Sequence, residues 1–394
     1  MDPSRNRNLF PISLSQFGMT FCFNFVMVFI PFYIHRISPY SPQETLIWIG
    51  VIMGSTSGVA AIASTFWGGL TSRFSPKAFY LRGLISHAIV ILLLGFVTNI
   101  PLILVIRIIQ GILGGVSTTG LIIVTSSSSS QRSARDIGFF QNSLTLGQLV
   151  GPPVGALAAS ALGYRGAFLS ASAFVFLTII FCYFTVVDVP REDRAKKARK
   201  GHRTLNKKTL VSWGLCFSAA VQLMFLPSIL PDVFEIFHME HSVALKWAGL
   251  VVMAYTGTAV LGTYFLCRLS SRIPRERLIL SIGALGVALQ CALTLAPEIF
   301  SFVSVRMIQT GLIAATLPLT ISFYASDLDG KVIGFLNSAR FAGNAMGPFI
   351  GTSVLAFAGM DWVFLFVGGL GILALAGFSL IFRPAQKEQA VSGN

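Results

Sequence analysis

Apolar residues along this 394-residue chain come in blocks rather than in alternation. Charge-poor blocks lie near residues 11–34, 46–70, 83–100, 101–125, 137–162, 166–187, 210–230, 247–267, 278–297, 299–325, 332–358 and 362–382. Each is roughly 20 residues long, which at about 1.5 Å per residue matches a hydrocarbon core about 30 Å thick. Lipid gives backbone amides no water to bond, so each block is expected to be a helix. A β-barrel would show segments of about ten alternating residues instead. The pattern therefore predicts an all-α membrane protein of twelve transmembrane helices, with tight hairpins at Thr98–Pro101 and Ala296–Phe300.

Composition agrees, with 54% hydrophobic and only 11% charged residues, where a soluble domain carries about a quarter charged. The net charge of +14 raises the question of a nucleic-acid partner. Its distribution argues for none. Arg5, Arg7, Arg73, Lys77, Arg82, Arg132, Arg135, Arg268, Arg272, Arg275, Arg277, Lys331 and Arg383 fall on one side of a twelve-span weave, with the run "REDRAKKARKGHRTLNKK". The other side keeps Arg36, Arg165 and Lys246. This positive-inside asymmetry predicts a protein of the cytoplasmic (inner) membrane with both termini cytoplasmic. The basic run reads as a solvated linker that touches anionic membrane lipid.

Catalytic and cofactor signatures do not emerge. The five cysteines form no CxxC or other metal spacing and read as reduced packing residues. "HMEH" at 238–241 lacks the HExxH spacing of a zinc protease. No phosphate-binding glycine loop with a lysine is present, which argues against ATP-driven transport within this chain. Neither enzyme activity, a cofactor nor a metal is expected. "MDPSRNRNLFPIS" shows no signal-peptide cleavage pattern, so the first span is the expected targeting element.

The chain is also written twice. "GGLTSRFSPK" (68–77) aligns with "CRLSSRIPRE" (267–276), placing Arg73 and Arg272 199 residues apart. "RIIQGILGG" (107–115) aligns with "RMIQTGLIA" (306–314), and Arg107 and Arg306 are again 199 apart. Gly147, Gly151 and Gly155 recur as Gly343, Gly347 and Gly351, 196 residues on, with Pro152 echoed by Pro348. The division is an N-terminal six-helix half (1–187), a basic cytoplasmic linker (188–209), a C-terminal six-helix half (210–383) and a tail (384–394).

Two parallel, pseudo-symmetric six-helix halves around an axis along the membrane normal resemble the major facilitator superfamily. Three motifs carry the resemblance further. The loop after the second span is similar to G-x-x-x-D-R-x-G-R-[KR], matched at Gly68, Arg73 and Lys77. Ser72, Ser75 and Pro76 replace the acid, the second glycine and an arginine. The resemblance thus implies a cytoplasmic clasp that is weaker or differently built. "GQLVGPPVG" resembles the fifth-span motif of the drug/proton antiporter branch, G-x-x-x-G-P-x-x-G, at Gly147, Gly151, Pro152 and Gly155. Glycines every four residues let another helix approach closely. Arg107 and Gly111 resemble the fourth-span R-x-x-x-G of the same branch, with Gln110 inside it.

The resemblance implies alternating access around a site near the midplane, export rather than uptake, and a role for Arg107 in substrate binding or proton coupling. Arg306 follows by internal symmetry. A charge at the centre of a span costs about 2.5–3.5 kcal/mol on insertion scales and usually faces a cavity or a partner. The bland alternative is that Arg107 snorkels to the outer headgroups. Further polar candidates for the cavity are Asn24, Asn142, Gln222, Gln309, Arg340 and Asn344, and apolar ones include Phe25, Met27, Trp213 and Met224. Proton coupling needs a group that titrates, and arginine does not. No Asp or Glu occupies the central part of any span. The candidates are Asp136 at the start of span 5, Asp232 and Glu235 past the outer end of span 7, and His87 within span 3.

Three functions follow. The first is a proton-coupled exporter of amphipathic small molecules, working as a monomer. The second is a carrier of an organic anion or siderophore-like metabolite, coupled to protons or not. The third is a non-transporting scaffold or receptor.

Overall fold

The computed structural model describes residues 8–70, 75–128, 133–188, 206–324 and 330–382, and these contain helices and no strand. The N-terminal half comprises α1 (Leu9–Met27), α2 (Ile30–Ile37), α3 (Pro42–Leu70), α4 (Pro76–Leu94), α5 (Ile100–Ile112), α6 (Val116–Ser127) and α7 (Ser133–Thr185). The C-terminal half comprises α8 (Lys207–Met224), α9 (Leu226–Ile236), α10 (His241–Leu269), α11 (Arg275–Ala292), α12 (Ile299–Ile313), α13 (Thr316–Tyr324), α14 (Gly330–Ala358) and α15 (Met360–Ile381). A 3-10 turn, Leu293–Leu295, ends the α11 span.

Ten of the described helical runs are long and apolar enough to cross a membrane, and α8 with α9, bent by 43°, forms an eleventh. The twelfth lies inside α7, where Gly163 leaves helical geometry at φ +70°. Packing against α1 shows a reversal there. Gly147 meets Phe17 and Phe21, while Thr178 meets Gly18 at the same level. Two residues 31 apart reach one level only if the chain turns back midway, at Gly163. The expected pair of spans is therefore a hairpin.

Helices run past the charge-poor blocks by several residues. α4 begins at Pro76 rather than near 83, and carries Lys77 and Arg82 in its first two turns. Long basic side chains reach out of the hydrocarbon while their backbone stays helical, so the charge marks the lipid boundary and not the helix end. Asp232 and Glu235 likewise lie within α9, not beyond the seventh span. The hairpins form at residues 95–99 and 296–298.

Spans 1, 4, 7 and 10 are each interrupted: between α1 and α2, α5 and α6, α8 and α9, and α12 and α13. The two halves meet along two symmetric seams. Gly50 and Gly54 of α3 lie against Thr352 and Ala345 of α14, while Gly249 of α10 lies 2.7 Å, measured from a built Cβ, from the Pro152 carbonyl of α7. Buried apolar packing differs between the two ends of the bundle. At the end away from the basic loops one continuous cluster, including Phe29, Ile49, Phe168, Phe225 and Leu245, runs through both halves. Toward the basic end the packing splits into a cluster of the first half around Tyr80 and Phe140, and one of the second around Ile279 and Phe378. Polar contacts join the halves at the first of these ends: His35 with Asp232 at 3.5 Å, and Tyr164 Oη with His241 Nε2 at 3.2 Å.

Candidate functional site

Asn99 caps α5 by accepting the Leu102 N–H at 3.0 Å, and Pro101 fits its first turn, where no amide hydrogen is needed. This start places Arg107 two turns into the membrane, facing α1. Arg107 is 1% exposed, so it does not snorkel. Its Nη1 donates to Gln110 Oε1 at 2.6 Å, and its Nη2 to the Met27 sulfur at 2.8 Å. The guanidinium carbon stands 5.7 Å from the Phe23 ring centroid. Gln110 Nε2 continues to His87 Nδ1 at 2.9 Å, and the Thr56 hydroxyl donates to the Arg107 carbonyl at 3.1 Å.

The second half repeats the arrangement. Glu298 and Ser301 form a capping box at the start of α12. Arg306, 0% exposed, donates from Nη1 to Gln309 Oε1 at 2.8 Å and to Gln290 Oε1 at 3.5 Å. Its Nη2 donates to the Gln222 carbonyl at 2.8 Å and the Leu223 carbonyl at 3.4 Å. Gln309 Nε2 in turn donates to Gln222 Oε1 at 3.1 Å. Phe225 and Tyr255 rings lie 5.0 and 5.3 Å from the guanidinium carbon.

Each arginine is thus surrounded by neutral acceptors and aromatic faces. Among the described residues no carboxylate pairs with either. Amide oxygens, carbonyls and ring quadrupoles each offset part of the cost of burying the charge. The acid that a buried cation would ordinarily attract is replaced by several partial charges.

A cavity of about 180 Å³ opens beside the first network, lined by His87, Gln110, Thr56, Phe23 and, from the other half, Phe341. It reaches along Gly114 to Thr118, where span 4 breaks at Gly115. The φ of +94° there is one that glycine adopts without strain. Arg82 holds the broken turn, donating to the Leu113 and Gly114 carbonyls at 3.1 Å each.

The structure gathers Arg107, Gln110 and His87 in one network and Arg306, Gln309 and Gln222 in the other. Asn24 donates to its own helix at Thr20 O, 2.8 Å away, with its Cβ beside Gly151. Asn344 is half-buried and Arg340 exposed, its guanidinium 5.2 Å from the Phe341 ring. Of these α14 residues, Phe341 lines the cavity and Arg340 and Asn344 do not. Asn142 is exposed, apart from both networks. Asp232 sits at the inter-half seam, Glu235 is exposed, and Asp136 is buried at the start of α7.

Gly147, Gly151 and Gly155 lie directly on the α1 backbone; a methyl group on Gly151 would stand 2.6 Å from the Phe21 carbonyl oxygen. Gly343 and Gly347 lie on α8 in the same way, and Gly351 reaches Phe225 just beyond it, while Pro152 and Pro348 sit inside their helices. Gly68 falls within α3, and Arg73 lies outside the described residues. Lys77 Nζ donates to the Tyr183 carbonyl at 2.8 Å, tying α4 to the end of α7 within its own half. The sequence gives no sign of Gln290, which accepts directly from Arg306 in the second half, or of Arg82 as more than a topology charge. Partners on separate spans carry no local signal. The repeated R-x-x-Q was the visible hint.

The model of the Major Facilitator Superfamily matches residues 12–229 and again 211–394. Multidrug resistance protein MdtG of Rahnella sp. (strain Y9602) is 27% identical over 399 residues, covering 98% of this chain and 95% of that protein. MdtG of Proteus mirabilis (strain HI4320) is 25% identical, covering 98% of each. Among solved structures, the inward-facing, occupied form of a bacterial homologue of the human lysosomal transporter Spinster superposes with a TM-score of 0.78 at 15% identity. That match covers 96% of this chain and 97% of the other. The nucleoside transporter NupG superposes with a TM-score of 0.77 at 14% identity, covering 96% and 100%. Matched over both halves, the chain belongs to the Major Facilitator Superfamily and is an integral membrane transporter, not an enzyme.

Proposed function

We propose that this transporter is a proton-coupled exporter of amphipathic small molecules, working by alternating access with its basic end in the cytoplasm. The observation that carries the reading is the cavity between Phe23, Phe341, His87 and Gln110. It offers aromatic walls, a few polar points and one titratable ring, a combination suited to amphipathic organic compounds. Shared packing at one end and separate cores at the basic end support a conformation facing the basic side. Full-length similarity to proteins named for multidrug resistance supports export of varied compounds. His87 is the coupling group of this reading, because it borders the cavity and Asp232, Glu235 and Asp136 do not line it.

A second reading, carriage of an organic anion, is favoured by one observation: Arg107 and Arg306 lie buried without a carboxylate among the described partners. Purified protein in proteoliposomes separates the two. With an imposed pH gradient, gradient-driven movement of lipophilic cations or neutral amphipaths is expected. Anion movement indifferent to the gradient would replace the first reading with the second. No movement of either would leave both without support.

A further inference from the structure

The hydrogen bonds around Gln110 have only one consistent polarity. A guanidinium has donors and no acceptor, so the atom that meets Arg107 Nη1 at 2.6 Å is the amide oxygen. The amide nitrogen is thereby directed at His87, 2.9 Å away, and it too can only donate. His87 Nδ1 must accept, so the neutral ring carries its hydrogen on Nε2. The residues that other elements bring to the cavity beside His87 are uncharged: Phe23 from α1, which also meets the ring, Thr56 from α3, Ser117 from α6 and Phe341 from α14. From α7, Ser172 bonds the Ala88 carbonyl. Arg107 stands one amide away from the ring.

A proton taken from water in the cavity onto Nδ1 leaves two donors facing each other. Turning the Gln110 amide over relieves His87 but points the NH₂ at Arg107, again donor against donor. With its oxygen on Arg107 and its nitrogen on His87, the amide as placed cannot satisfy Arg107 and a protonated His87 Nδ1 together. We propose that Gln110 is a positioning residue that makes its bond to Arg107 and the proton on His87 Nδ1 mutually exclusive. Protonation detaches the Arg107 fork from Gln110, leaving it to Met27 and to whatever acceptor the cavity offers. The second half cannot do this, because Gln309 donates to Gln222, and neither these nor Gln290 titrates. The hydrogen-bond logic stands by itself; its use in transport rests on the coupling reading above.

Nitrogen-15 spectra of histidine-labelled full-length protein in lipid nanodiscs test the polarity, with His87 identified among the five histidines by loss of its signals in His87→Gln. At mildly alkaline pH the wild type is expected to show an unprotonated Nδ1 and a protonated Nε2. Gln110→Glu puts two acceptor oxygens between the same groups, so the His87 hydrogen is expected to move to Nδ1. Gln110→Leu removes the constraint, and a mixture of tautomers is expected. A purely structural glutamine would leave the tautomer unmoved by these changes. A wild-type Nδ1–H, or one spectrum shared by all three proteins, overturns the proposal. Should the tautomer invert while proteoliposome transport ignores pH, the positioning role stands and the coupling reading fails.

Discussion

The two halves of this transporter solve one problem with different endings. Each sets an arginine at the same register of its fourth span and satisfies it with a glutamine one turn on. In the second half the network closes on itself: Arg306 is held by Gln309, Gln290 and two backbone carbonyls, and nothing in it titrates. In the first half fewer acceptors hold Arg107, one of them a sulfur, and the chain ends on His87 at a cavity. One repeat therefore reads as a fixed anchor and the other as a responsive one. In the proposed reading the buried charge of both copies serves the architecture, and only the loosely held copy takes part in transport.

That contrast can be broken most forcefully at Arg306. Arg306→Met leaves several buried acceptors unmatched, at roughly 1–3 kcal/mol each. Its unfolding temperature in detergent should fall well below that of Arg107→Met; an equal or smaller fall would remove the anchor reading. Arg107→Lys comes next. A lysine keeps the charge but not the fork that meets Gln110 and Met27 together. Membrane insertion should be normal and transport reduced tenfold or more, measured in proteoliposomes at matched protein content. Wild-type transport would show that the fork is dispensable.

Helix contact offers a finer comparison. Gly155 lies against the Phe25 carbonyl, so Gly155→Ala must push α1 and α7 apart. At Gly351 the nearest atoms stand 3.2 and 3.3 Å from a built Cβ, which a small adjustment accommodates. Gly155→Ala should cost about 1–3 kcal/mol, as other overpacking does, and Gly351→Ala less than half of that, judged by paired thermal melts. The smallest effect is expected at the seam. Asp232→Asn removes a partly exposed pair with His35 and should change stability by less than about 1 kcal/mol.

Much of this is legible in the sequence. Charge-poor blocks marked the spans because lipid excludes charge, and glycines at every fourth position marked where α7 and α14 lie on α1 and α8. The internal repeat pointed to both arginines. The acceptors were not legible, for physical reasons. Gln290 and Arg306 are 16 residues apart on different helices, and the carbonyls of Gln222 and Leu223 have no side-chain signature. A missing acid looked like a puzzle because a formal countercharge was expected, whereas the fold assembles the same stabilisation from neutral dipoles. Helix ends are less legible, because charged Lys77, Arg82, Asp232 and Glu235 sit inside helices.

The central claim is that the first network responds to protons and the second does not. The most direct measurement is the pH dependence of transport in proteoliposomes for wild type, His87→Gln and Gln290→His. His87→Gln leaves the first network without a titrating ring, as in the second, while Gln290→His places a ring on Arg306 where burial is complete. The account predicts a pH-dependent rate in the wild type, a flat profile in His87→Gln and a wild-type profile in Gln290→His. A His87→Gln protein whose rate follows pH as the wild type does would contradict it.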